Sequence, residues 1–130
     1  MNTKLIMTIS AAFLAAIGIA LIFAADDIIA VFVAEPSEVL RITAQLLGAT
    51  YFGFAILNWM AKGAIIGGIY NKPLVMANFA QFFIGGAMLV KSVLRNQQLP
   101  AGLFILAGIY VVMASLFAFI MFRHPDNRTA

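Results

Sequence analysis

Side chains able to give, take or hold charge are scarce in this sequence. Its 130 residues include 8 Lys and Arg, 5 Asp and Glu, 1 His and no Cys. Without Cys there are no disulfides, thiol redox chemistry or thiolate metal sites. The one His, His124, lies in a polar tail, where a lone imidazole reads as a solvated group rather than a metal ligand. That argues against a haem held by two His. All the acidic residues fall outside the long apolar runs, so a carboxylate proton relay is missing. No paired-carboxylate, Ser-His-Asp or phosphate-loop pattern occurs, and Gly67-Gly68 lacks the strand–turn–helix setting of a dinucleotide site. No catalytic residue, metal ligand or cofactor is expected, and the reading leans away from an enzyme.

The polar residues that do fall in or beside apolar runs form two groups. At the rise of 1.5 Å per residue, Gln45 and Lys91 lie about 9 Å and 5 Å below the outer ends of their helices. Arg41, Gln45 and Lys91 are therefore expected to gather near the outer surface, with Asp26 or Asp27 as counter-charge. This cluster is the candidate site, suited to an anionic headgroup or solute. Interfacial cations also snorkel to headgroups, and that plainer role weighs more heavily here. The second group, Tyr51, Asn58, Asn78, Gln81 and Tyr110, suits interhelical hydrogen bonds, worth on average about 0.6 kcal/mol each.

Such residues need elements to hold them. Hydrophobic residues make up 64% and charged residues 10%, with a mean hydropathy of +1.03. Soluble domains carry about 25% charged residues, so this chain is read as an integral membrane protein: all-α, a four-helix bundle in one transmembrane domain. Its expected partner is the lipid bilayer. The net charge of +3 does not imply nucleic acid, because the basic residues are spread singly.

The spans are expected at about 5–25, 39–59, 74–94 and 101–122, with a loose tail at 123–130. The first run, Leu5 to Ala25, has 21 uncharged residues, longer than the roughly 15 of a signal-peptide core. It is expected to remain as a span, ended by Asp26 and Asp27. Pro36 is placed in the first turn of the second helix, supported by Ser37 and Glu38. Residues 60–70 either lengthen that helix to a glycine-rich turn or form a re-entrant loop. The first is favoured, because four helices supply little lining for re-entrant backbone. Trp59 and Tyr70 suit an aromatic belt.

Lipid tails are as apolar as Leu, so packing in a membrane relies on small residues and polar contacts. Ala12, Ala16, Ala20 and Ala24, widened by Ala11 and Ala15, form an expected ridge on the first helix. Ala44, Gly48, Ala49 and Gly53 serve the second helix, Gly85 and Gly86 the third, and Gly108, Ala114 and Ala118 the fourth. On the second helix Arg41, Gln45, Gly48, Phe52, Ala55 and Trp59 share about 80° of arc. On the third, Asn78, Gln81, Gly85 and Ser92 share about 60°. Both stripes are expected to face inward. For orientation, Lys4, Lys62, Lys72, Arg123 and Arg128 fall on one side and Arg41, Lys91 and Arg95 on the other. The larger group marks the cytoplasm, which puts both termini there.

The stretch Arg41 to Lys62, RITAQLLGATYFGFAILNWMAK, combines a Gly-containing helix, Asn58-Trp59 and a closing cation. With the span count, it resembles uncharacterised small four-helix bacterial inner-membrane proteins, loosely DoxX-like. The resemblance implies a multi-pass protein of the bacterial inner membrane and transfers no catalytic residue. Small multidrug-resistance transporters carry a glutamate in the first helix, and Leu5 to Ala25 has none. The expected function is an accessory or interaction subunit, bound to a partner membrane protein or as a homo-oligomer. The alternative is a small homo-oligomeric carrier or pore for an anionic or amphipathic solute.

Overall fold

The computed structural model describes residues 3–63 and 71–122. Tyr70, the Gly67-Gly68 pair, His124, Arg123 and Arg128 lie outside them, as does most of the 60–70 segment. The fold is all-α, and the described residues form five helices: α1 Thr3–Phe23, α2 Ala25–Ala30, α3 Glu38–Ala61, α4 Lys72–Arg95 and α5 Ala101–Phe122. There is no strand among the described residues. The expected four spans correspond to α1, α3, α4 and α5, each long and apolar enough to cross a membrane. The helices fall into two compact units, residues 1–63 and 64–130.

In the first unit, α1 is 21 residues long, about 31 Å, close to the bilayer core of about 30 Å. It stops because Ala24 leaves helical geometry, with φ −123° and ψ 33°. Asp26 and Asp27 do not end the helical path, contrary to expectation. They occupy the first turn of α2, where carboxylates favour the positive end of the helix dipole. Ala25 and Ile29 are the buried face of α2, which packs against both α1 and α3.

α3 begins with a side-chain cap: the Ser37 hydroxyl accepts from the Leu40 amide at 3.2 Å. Pro36 therefore precedes the cap instead of sitting in the first turn. Proline does start α4, where Pro73 follows Lys72 and its missing N–H costs nothing. α3 ends at Ala61, and Lys62-Gly63 form a turn.

Contacts between α1 and α3 set their direction. Ser10 meets Asn58, Gly18 meets Gly48, and the Ile22 carbonyl meets Gln45. One number falls as the other rises, so the helices are antiparallel. Their closest approach is Gly18 against Gly48. A Cβ on Gly18 would lie 2.8 Å from the Gly48 carbonyl oxygen, and one on Gly48 would lie 2.8 Å from that of Gly18. Backbones this near leave no space for a side chain. The expected ridge holds only in part: Ala11 is buried, Ala12 and Ala16 are exposed, and Met7, Leu14 and Gly18 complete the buried line with Ala11.

In the second unit, the short turn after Arg95 returns α5 antiparallel to α4. The buried residues are Val75, Asn78, Phe82, Gly86 and Val93 on α4, and Ala107, Tyr110, Met113, Ala114, Phe117 and Ile120 on α5. Their three- and four-residue spacing is that of one helix face. Phe82 sits at the centre, edge-on to Tyr110 at 5.3 Å and stacked on Phe117 at 5.7 Å.

Candidate functional site

The Arg41 region is built at the end of α3 that follows the Ser37 cap. Glu38 and Arg41 are three residues apart, so their side chains meet on one helix face. One guanidinium nitrogen donates to both Glu38 oxygens, at 2.5 Å each. The other terminal nitrogen lies 3.9 Å from Asp26 Oδ2 on α2. Beside them the Gln45 amide donates to the Ile22 carbonyl at 3.3 Å, closing α3 onto the end of α1. Asp26 is thus the counter-charge among the two candidates, and Asp27 is exposed. Lys91 is an exposed residue of α4, in the second unit.

Glu38 is the principal partner of Arg41 and was not among the expected site residues. Its signal was the acid-to-base spacing of three within a helix. The three side chains are well exposed: 40% for Arg41, 66% for Asp26 and 64% for Glu38. Ion pairs this open contribute little to stability, because water and salt screen them. Arg41 is balanced by two carboxylates, so it presents little net positive field to an anion.

Deeper in the first unit, Asn58 and Ser10 are both fully buried. The Asn58 amide donates to the Ser10 hydroxyl at 2.9 Å, joining α3 to α1. Asn58 was expected to make an interhelical contact; Ser10 was missed. Its signal was the innermost hydroxyl of α1, beyond Thr3 and Thr8 and followed by an unbroken apolar run, where a polar group must find a partner within the fold.

Other polar groups also make hydrogen bonds within their own helix. Thr8, Thr43, Thr50, Ser92 and Ser115 each donate to the carbonyl four residues earlier, at 2.7–3.0 Å. The Asn78 amide does the same with Leu74 at 3.0 Å, and Asn78 is fully buried in the second unit. Tyr51 and Gln81 are half-buried. Among the described residues every buried side-chain polar atom has a partner.

Tyr110 shows why α4 carries adjacent glycines. A Cβ on Gly85 would lie 2.7 Å from Tyr110 Cε1, and one on Gly86 would lie 3.4 Å from Tyr110 Cβ. The ring lies over the bare backbone and is almost wholly buried. Gly108 has open space around it, so it plays no part in this contact. The stripes are inward only in part. Gly48 and Ala55 are buried on α3, whereas Gln45, Phe52 and Trp59 are exposed; on α4 Asn78 is buried and Ser92 is exposed. The physical reason is narrow contact: two antiparallel helices meet along a line and leave the flanks of that line open.

Among the described residues, those flanks include an apolar groove in each unit. The α4–α5 groove holds about 410 Å³, between Phe79, Phe83 and Val90 on one side and the small residues Ala114 and Ala118 on the other. The α1–α3 groove holds about 300 Å³, with Ala11, Ala12 and Ala15 along its floor and Phe52, Ile56 and Trp59 along its wall. Comparison with protein-family models, curated proteins and solved structures finds no match to this chain.

Proposed function

We propose that this is a small inner-membrane protein acting as an accessory or interaction subunit, and that its α4–α5 groove receives a transmembrane helix of a partner. One observation carries the reading: the groove is open, apolar and lined by the small residues Gly86, Ala87, Ala114 and Ala118. Helix association in lipid depends on close approach, which small residues permit. Ligand sites usually add a few placed polar groups to an apolar pocket. Here the polar lining residue is Ser115, and its hydroxyl is engaged by the Val111 carbonyl.

The reading includes a cytoplasmic location for both termini. In the antiparallel first unit, Lys4 and Lys62 share one end, while Asp26, Asp27, Glu35 and Glu38 cluster with Arg41 toward the other. The positive-inside rule favours the Lys4–Lys62 end in the cytoplasm. The likeness of Arg41 to Lys62 to DoxX-like proteins is compatible with this assignment and adds no functional residue. The alternative carrier or pore for an anionic solute gains no support from an Arg41 paired to Glu38 and Asp26.

Affinity purification in mild detergent, followed by native mass spectrometry, tests the reading. A partner membrane protein is expected with the native chain and absent with Ala87→Leu, which fills an exposed part of the groove. A homo-oligomer without a second protein overturns it and favours the carrier or pore.

A further inference from the structure

At one end of the α1–α3 groove a cation is stacked on an aromatic ring of the wall. Phe52, Ile56 and Trp59 recur at four and three residues, so they make one continuous wall along α3. From Phe52 to Trp59 the wall rises about 10 Å. Less than one turn beyond Trp59 stands Lys62, whose Nζ lies 2.8 Å from the centroid of the Trp59 ring. The ring holds the ammonium by cation–π attraction at the mouth of the groove. One face of the ammonium is turned to the indole, while its three N–H donors allow further acceptors on the open side. Every carboxylate among the described residues belongs to the other end of this unit, near Arg41. Among the described residues no acid stands at the Lys62 end of this unit, and the Trp59 ring that carries the ammonium is itself part of the groove wall.

We infer that the α1–α3 groove seats an acyl chain of an anionic phospholipid whose phosphate is held by Lys62. The volume of about 300 Å³ is at the lower end of the range for ligand pockets, about 300–1,000 Å³. The alanine floor admits a chain between the helices, and the wall of Phe52, Ile56 and Trp59 covers one side of it. Charge complementarity selects the headgroup, because Lys binds phosphate as a point charge. This inference concerns a different groove from the one assigned to a partner helix, and either stands without the other.

Trp59 is the single tryptophan of the chain, so its fluorescence reports this groove directly. The full-length protein is reconstituted into vesicles containing acyl-brominated phosphatidylglycerol or phosphatidylcholine with the same chains. Quenching is normalised to each variant's unquenched emission. Half-quenching is expected at about fivefold lower mole fraction of the anionic lipid, the factor that corresponds to one interfacial cation. Lys62→Gln should erase that preference, and Lys4→Gln, at the same end of the unit, should keep it. Ala12→Leu, at an exposed floor position, should reduce quenching by the anionic lipid to the level of phosphatidylcholine. Equal quenching by both lipids in the native protein overturns the proposal. So does a preference that survives Lys62→Gln, or one lost equally with Lys4→Gln. Added inorganic phosphate should leave the preference intact; abolition by phosphate alone would identify a free-anion site and overturn the lipid assignment.

Discussion

Arg41 and Asn58 are both polar residues of α3, yet their environments set different consequences for removing them. Arg41 is 40% exposed and paired to exposed carboxylates, where water and headgroups replace lost partners. Arg41→Ala should leave stability nearly unchanged, because solvent screens exposed ion pairs. The measurement is thermal unfolding in detergent, and a large fall in unfolding temperature would mean that the ion pairs are shielded from solvent. Asn58 is fully buried and bonded to Ser10 across the helix pair. Asn58→Ala should cost about 0.6 kcal/mol, and at most about 1.7, the span of measured membrane hydrogen bonds. Ser10→Ala in the same background should add little if the two side chains act as one pair. Fully additive losses would sink that coupling.

At the scale of the element, close approach determines which small residues matter. Gly48 faces the Gly18 carbonyl at a distance that leaves no room for a Cβ, while Gly53, on the same helix, has open space. Gly48→Ala should separate α1 from α3 and cost about 1–3 kcal/mol, as overpacking does. Gly53→Ala should not destabilise and should raise stability by up to about 0.5–1 kcal/mol, because alanine is the better helix former. The second unit offers the same comparison: Gly85→Ala should destabilise because it strikes the buried Tyr110 ring, and Gly108→Ala should be tolerated. Unfolding temperatures of the four variants provide the test. Equal temperatures within either pair would remove the corresponding packing contact. These pairs were only half legible in the sequence. Gly48, Gly85 and Gly86 stood out as small residues, but so did Gly53, Gly108 and Ala16, which the fold leaves open. Spacing places a small residue on a face and does not say whether another backbone lies opposite.

For the whole molecule, four spans and the basic distribution make topology the testable quantity. Reporter fusions at Asn96 and Ala130 should lie on opposite sides of the membrane, with Ala130 in the cytoplasm. One span, α5, separates the two points. Reports from the same side would be incompatible with α5 crossing the bilayer.

The all-α class and the four spans were determined by composition and by the lengths of the apolar runs. Both are properties that each segment carries without its neighbours, because hydrocarbon demands helices whose backbone is satisfied internally. The Glu38–Arg41 pair was equally local, fixed by three residues of one helix. Only the tertiary structure decided which faces meet. α1 and α5 are apolar nearly all round, so no polar side marks the opposite face as buried. In water, hydrophobic periodicity would identify that face. In lipid, apolar surface is equally content against acyl chains or another helix. The buried line is therefore set by steric fit, Gly18 on Gly48 and Tyr110 on Gly85-Gly86, and by the one hydroxyl that Asn58 reaches across to find.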